Sequence, residues 1–113
     1  MPQFLVQFSY APHPIKAMVD QPDLDRAAQA SAMVASLGGK LLGYWFAFGG
    51  FDGIVLMDVP DSSAAVSIAM AIRATGEVSR LETTLLLTMD EAREAMRKAG
   101  AATHLPPGEG VKG

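Results

Sequence analysis

The stretch GGKLLGYWFAFGGFDGIVLMDVPD, residues 38–61, decides the fold of this chain. It holds two apolar runs, Lys40–Phe48 and Ile54–Val59, on either side of a turn with three glycines. Aromatic and β-branched side chains favour strands, and glycine adopts the positive φ angles that tight turns need. The pattern therefore predicts a β-hairpin, which ends at Pro60 because proline cannot donate to the hydrogen-bond ladder of a sheet.

Before the hairpin, the sequence predicts a strand and then a helix. Polar and apolar residues alternate over Gln3–Tyr10, which is typical of a half-buried strand. A proline-containing loop over 11–14 follows, and Ile15–Asp20 indicates a separate short helical turn. The spacing of apolar residues then predicts a longer helix over about 23–37, with Asp23 as its N-cap.

After the hairpin, a helix and a strand follow again. A helix is predicted over about 62–74, with Asp61 or Ser62 as its cap. Alternating leucines and threonines predict a fourth strand at Glu77–Leu87. The next residues, Thr-Met-Asp-Glu, have the spacing of a capping box and predict a third helix over 88–100.

The order strand, helix, strand, strand, helix, strand is that of the ferredoxin-like fold. This α+β arrangement has a four-stranded antiparallel sheet and two helices on one face. Right-handed crossovers place strand three between strands one and two, and strand four beside strand one. The chain has 113 residues, the size of a single domain. We therefore expect one domain over 1–100, which includes the extra C-terminal helix, and a mobile tail over 101–113.

The second face of the predicted sheet is apolar. The faces of strand two carry Leu42, Tyr44, Phe46 and Phe48 on one side and Leu41, Trp45 and Ala47 on the other. An uncovered face with Trp45, Val55 and Met57 would be a large apolar patch for a monomer. We therefore predict a homodimer or larger homo-oligomer in which two sheets pack face to face. In the alternative, the third helix folds back over this face.

The composition excludes several classes of protein. There is no cysteine, which excludes disulfides, thiolate metal sites and cysteine nucleophiles. The net charge is -3, and without a cluster of Lys and Arg no nucleic-acid partner is expected. No apolar run approaches the ~20 residues that span a membrane, and no signal peptide is recognised, so we expect a cytoplasmic protein. With only two histidines, neither a metal site nor a cofactor is predicted.

Residues 38–44, 50–52 and 59–61 resemble the GYD domain family, which is named for a Gly-Tyr-Asp signature in this hairpin. The resemblance covers roughly residues 1–95 and implies the ferredoxin-like fold of the dimeric α+β barrel group. Phe51 stands where the signature has tyrosine, so any role of that hydroxyl is absent. Gly53 stands where a branched apolar residue is common. The family brings no established activity, so the resemblance implies no catalytic residue.

The predicted topology brings several functional side chains to one end of the sheet. The catalytic candidates are His13, Asp52 and Arg80. A histidine beside a carboxylate can act as a general acid or base near neutral pH, and an arginine can hold a carboxylate or stabilise an enolate. The candidate ligand-binding residues are Tyr44, Trp45, Phe51, Arg73 and Glu82. All of them also have structural interpretations, such as surface charge, turn hydrogen bonds or core packing.

Two functions remain open. The apolar second face and the scarcity of convergent polar groups favour a homo-oligomer that binds a small, mostly apolar ligand between sheet and helices, or an interaction module. The alternative is a cofactor-independent enzyme, an isomerase or a monooxygenase, with His13 as general acid or base. Heme or metal binding has the least support. The sequence leaves open whether the chain is an enzyme, because a fold constrains function only loosely.

Overall fold

The computed structural model describes residues 1–103 of the chain, so most of the predicted tail lies outside the described residues. In chain order the elements are β1 (Gln3–Tyr10), α1 (Pro12–Asp20), α2 (Arg26–Ser36), β2 (Lys40–Phe46), β3 (Gly53–Asp58), α3 (Ser62–Ala74), β4 (Val78–Leu86) and α4 (Met89–Ala101). The strands form one sheet in the order β2–β3–β1–β4, and every neighbouring pair is antiparallel. The ferredoxin-like α+β fold, its sheet order and the extra C-terminal helix are confirmed.

β1 has its predicted bounds, but α1 and α2 begin at residues other than those predicted. α1 starts at Pro12, because the first turn of a helix has free N–H groups and tolerates proline. His13 therefore lies in a helix, and its predicted place in a loop is wrong. The N-cap of α2 is Asp25, whose side chain accepts a backbone hydrogen bond at 2.9 Å, and not Asp23.

The helix caps after the hairpin agree with the predictions. Asp61 caps α3 by accepting a hydrogen bond from a backbone N–H at 2.8 Å. α3 ends just before Gly76, whose φ of +72° is in the left-handed region that favours glycine. Thr88 and Glu91 exchange both hydrogen bonds of the predicted capping box at the start of α4.

The core lies between one face of the sheet and the helices α2 and α3, and this side of the sheet is called the helix face below. β1 contributes every second residue to it, as its alternation predicts. The buried apolar side chains of the core are Phe4, Val6, Phe8, Tyr10, Val34, Val55, Met57, Val59, Ala65, Ile68 and Leu81. Met57 and Val59 are fully buried, so the centre of the core lies under β3 and the start of the connection to α3.

A β-bulge in β2 changes which residues point to the helix face. The pairing with β3 shifts between Leu41 and Gly43, so that Leu41 lies opposite Met57 and Tyr44 lies opposite Val55. An extra residue in one strand interrupts the regular alternation of its side chains. Leu41 and Tyr44 therefore share the helix face, although their separation in sequence predicts opposite faces.

The prediction of which side chains remain uncovered is wrong for strand three. Val55 and Met57 are buried on the helix face. The opposite side, called the open face below, carries large apolar side chains from all four strands. They are Leu5, Trp45, Ile54, Leu56 and Leu86. The Trp45 side chain is 52% exposed, so the apolar character expected of this face persists with different residues.

α4 does not cover the open face. It buries no side chain, and its Met89 and Met96 are exposed. The alternative in which the third predicted helix folds back over the sheet is therefore wrong. Within residues 1–103, no helix combines the length and the apolar character needed to cross a bilayer.

Candidate functional site

A cavity of about 180 Å³ lies between the helix face of the sheet and the helices α2 and α3. Its walls are mostly apolar. They include Val6, Phe8, Met33, Met57, Ile68 and Ile72. Ala30 also lines the cavity from α2, and its small side chain leaves space there. The sheet and both helices therefore border a partly open volume that their own side chains do not fill.

One end of this cavity is polar. The hydroxyl groups of Tyr10 and Tyr44 are hydrogen-bonded to each other. Arg26 lies over the Tyr10 ring, with its Cζ 5.5 Å from the ring centre, and its Nη2 donates to Oε2 of Glu77 at 3.2 Å. The Arg26 side chain is only 16% exposed and that of Glu77 is 41% exposed, so this ion pair is partly withdrawn from water. These four residues are called the polar end below.

Distant parts of the chain bring the polar end together. Tyr10 is the last residue of β1, and its backbone N–H donates to Oδ2 of Asp52 at 2.9 Å. Tyr44 reaches the same place because it lies opposite Val55, which points to the helix face. Arg26 opens α2, and Glu77 lies just before β4. The caps and turns that begin and end these elements therefore fix the four side chains.

The surroundings of the polar end keep Tyr44 neutral and Arg26 charged. Burial raises the pKa of Tyr44 well above its ordinary value, and its hydrogen bond with Tyr10 raises it further. Arg26 lowers this pKa, but its effect is smaller than those of burial and Tyr10. Burial alone would lower the pKa of Arg26, but its interactions with Tyr10 and Glu77 outweigh this effect and raise it. At neutral pH the Tyr44 hydroxyl therefore remains a hydrogen-bond donor.

An open groove of about 400 Å³ lies on the other side of Tyr10 and Arg26. α1 and the end of the hairpin form its sides, and Ile15, Val19 and Phe48 are exposed along it. Tyr10 and Arg26 line both spaces, so they form the wall between the groove and the cavity. The polar end is therefore the part of the cavity that lies nearest to the groove.

The three predicted catalytic residues do not form one cluster. His13 is exposed in α1, and within residues 1–103 no hydrogen bond or ion pair joins it to Asp52 or Arg80. The Asp52 carboxylate accepts the Tyr10 N–H, and Arg80 donates to the carbonyl of Gly50 in the hairpin turn. The catalytic role of this trio, with His13 as acid or base, stays a prediction.

Among the predicted ligand-binding residues, Tyr44 lines the cavity and the others lie elsewhere. Trp45 and Glu82 are on the open face. Phe51 lies at the hairpin end. The guanidinium of Arg80 lies over its ring, with Cζ 4.0 Å from the ring centre. Arg73 donates to a backbone carbonyl of β4 at 2.9 Å and so ties α3 to the sheet. Their roles in binding stay predictions.

Sequence reasoning missed three members of the polar end, Tyr10, Arg26 and Glu77. Arg26 does carry a signal, because it is the only charged residue in α2, RAAQASAMVAS. A single charge at the start of a helix made of small and apolar residues indicates a partner within the fold. No local pattern reveals that this partner is Glu77, which lies far along the chain.

This chain resembles a known protein family and several solved structures. A family model described as "GYD domain" matches residues 4–96. No curated protein matches the chain. A solved structure described as "crystal structure of FFRP-DM1" matches with 13% sequence identity and a TM-score of 0.48, over 77% of this chain and 100% of that chain.

Proposed function

The chain belongs to the GYD domain family, and we propose that it binds a small, mostly apolar ligand in the cavity between the sheet and α2 and α3. The observation that carries this proposal is an apolar cavity of about 180 Å³ with a single polar end. For scale, an engineered apolar cavity of about 150 Å³ in another protein binds benzene. The ligand that fits is therefore about the size of one substituted ring or a short branched chain.

The polar end distinguishes this cavity from a packing defect. A space left by imperfect packing has no need of polar groups, whereas ligand sites combine apolar walls with a few polar groups that orient the ligand. Here Tyr10, Tyr44 and Arg26 all lie at one end of the cavity, beside the groove that leads to solvent. A ligand would place its apolar body between sheet and helices and its polar atom at this end.

Filling the cavity is expected to abolish binding. Ala30 lines the cavity from α2, so the substitution Ala30→Leu places a larger side chain in the space that the ligand would occupy. The measurement is the melting temperature of the wild type and the variant with a panel of one-ring compounds. At one hundred times the dissociation constant, a ligand stabilises the wild type by about 2.7 kcal/mol, which raises the melting temperature by roughly 10–20 °C.

The matched control is Ala35→Leu, an equal change on an exposed position of the same helix. It should leave the ligand-induced shift unchanged. If Ala30→Leu kept the full shift as well, the ligand would bind elsewhere and the cavity proposal would be refuted.

We also propose that the open face joins two copies of the chain as a homodimer. Its apolar side chains, with Leu56 near the centre and Trp45 over Gly43, form a continuous surface that α4 leaves uncovered. In a twofold dimer the same face meets itself, so the apolar side chains of the two copies can be buried against one another. This arrangement leaves the cavity on the helix face of each copy accessible.

A charge in the open face is expected to separate the copies. The substitution Leu56→Lys places a lysine close to its symmetry mate, where like charges repel and burial is costly. Native mass spectrometry should show dimers for the wild type and monomers for the variant at micromolar concentration. Val66→Lys on the exposed side of α3 is the control and should remain dimeric. A monomeric wild type would refute the dimer.

A further inference from the structure

The polar end has hydrogen-bond donors that its own contacts do not use. A guanidinium has five N–H groups, and Arg26 donates to Glu77 and also interacts with the Tyr10 and Tyr44 hydroxyls, which leaves part of its donor capacity unused. The two hydroxyls of Tyr10 and Tyr44 share one hydrogen bond, which leaves the other hydroxyl hydrogen available. An oxygen atom of a ligand at this end would therefore find donors from the arginine and from a tyrosine.

The polar end has no surplus positive charge. Arg26 is neutralised by Glu77 at 3.2 Å, and the Tyr44 hydroxyl stays protonated at neutral pH. The nearby carboxylate of Asp52 accepts the Tyr10 backbone N–H and lines the groove, so it supplies no positive charge either. Gln29, the other polar residue in the lining, is neutral. An anion entering this end would lose its hydration without gaining an unpaired cation, which is costly.

From these observations we infer that the cavity selects an uncharged one-ring compound that carries an oxygen acceptor, such as an aryl ketone, and rejects the matching carboxylate. Glu77 is the residue that sets this selectivity, because it removes the positive charge that would otherwise attract an anion. The inference rests on the proposed ligand-binding function and names the ligand class for the same cavity.

The test compares three ring compounds of equal heavy-atom count: acetophenone, which has a neutral oxygen, cumene, which has none, and benzoate, which is anionic. Dissociation constants are measured by calorimetry on the full chain at pH 7. We expect acetophenone to bind the wild type about tenfold more tightly than cumene, since a hydrogen bond to a charged donor contributes about this factor. Benzoate should bind at least about tenfold more weakly than acetophenone.

The substitution Glu77→Gln tests the role of the neutralising charge. It should strengthen benzoate binding by at least about tenfold and change acetophenone binding by less than about threefold. The matched control is Glu94→Gln on α4, where the carboxylate is exposed and pairs with Arg97, and it should change neither constant.

The outcomes separate the two proposals. If the three compounds bind the wild type equally, or benzoate binds best, the selectivity is overturned while ligand binding in the cavity stands. If none of them binds, both proposals fail. The wild-type comparison needs no variant, so the selectivity can be refuted even where Glu77→Gln does not fold.

Discussion

Replacing Met57 with alanine is expected to lower the free energy of unfolding by about 2–5 kcal/mol, the range for truncation of a large buried side chain. Met57 is 0% exposed and lies on the helix face of β3, between Phe4 of β1 and Leu41 of β2. Its removal leaves a hole in the centre of the core, next to the cavity that already exists. Urea unfolding followed by circular dichroism measures the change.

The control for this prediction is Met70→Ala. Met70 lies on α3 but is 67% exposed, so the same substitution should change the free energy of unfolding by no more than about 0.5 kcal/mol. Equal effects of the two substitutions would contradict the placement of Met57. If Met57→Ala instead separated a dimer without making each copy less stable, Met57 would lie on the uncovered face, as the sequence predicts.

The substitution Gly39→Ala is expected to have the second large effect, a loss of about 3 kcal/mol or more, at the upper end of the cost of overpacking. A Cβ atom at this position would lie 2.5 Å from the backbone oxygen of Asp58, and 2.9 Å from a methyl carbon of both Val34 and Val59. A rotamer change cannot move a backbone oxygen, so the connection between α2 and β2 would have to move away from the end of β3. The melting temperature, measured by thermal unfolding, should fall by more than about 10 °C.

Gly49→Ala provides the matched control, because no atom lies within 4 Å of a Cβ built at Gly49. Its melting temperature should stay within a few degrees of the wild type, about the size of the entropic effect of replacing glycine in a loop. If Gly39→Ala melted at the same temperature as the wild type, the connection before β2 would be less closely packed against the end of β3 than the structure indicates.

The secondary structure could be predicted largely because its signals are local. The capping box at Thr88, the cap at Asp61 and the alternation in β1 depend on residues a few positions apart, and all three are confirmed. The sequence misplaces the start of α2 because Asp23 and Asp25 offer the same cap chemistry two positions apart. The start of α1 was missed because Pro12 stops a strand and opens a helix equally well.

The assignment of faces in the hairpin could not be made from local signals. Both strands of the hairpin are apolar on both sides, so alternation alone does not identify the buried side. The bulge in β2 then puts Leu41 and Tyr44 on one side, which a regular period of two excludes. Only the pairing of β2 with β3, a contact between strands, resolves which side chains meet the helices.

The candidate site was predictable in part for a related reason. Tyr44 could be singled out because an aromatic residue in the family's characteristic hairpin stands out in the sequence. Arg26 and Glu77 become a pair only when α2 and the segment before β4 meet, and this contact spans half of the chain. In the sequence Tyr10 is simply the last apolar residue of a strand, and its hydroxyl finds a partner only because Tyr44 lies beside it in the fold.

The bulge in β2 also determines where this strand can change its length. Leu42 is the residue without a counterpart in β3, since Leu41 pairs with Met57 and Gly43 with Leu56. A chain that lost Leu42 could keep these pairings and would still turn Tyr44 toward the cavity. Losing or adding one residue between Gly43 and the hairpin turn would instead shift the pairing by one residue. The side chains would then exchange faces, and the tyrosine would point to the open face. We therefore expect this strand to tolerate a deletion at Leu42 and not at the positions that follow it.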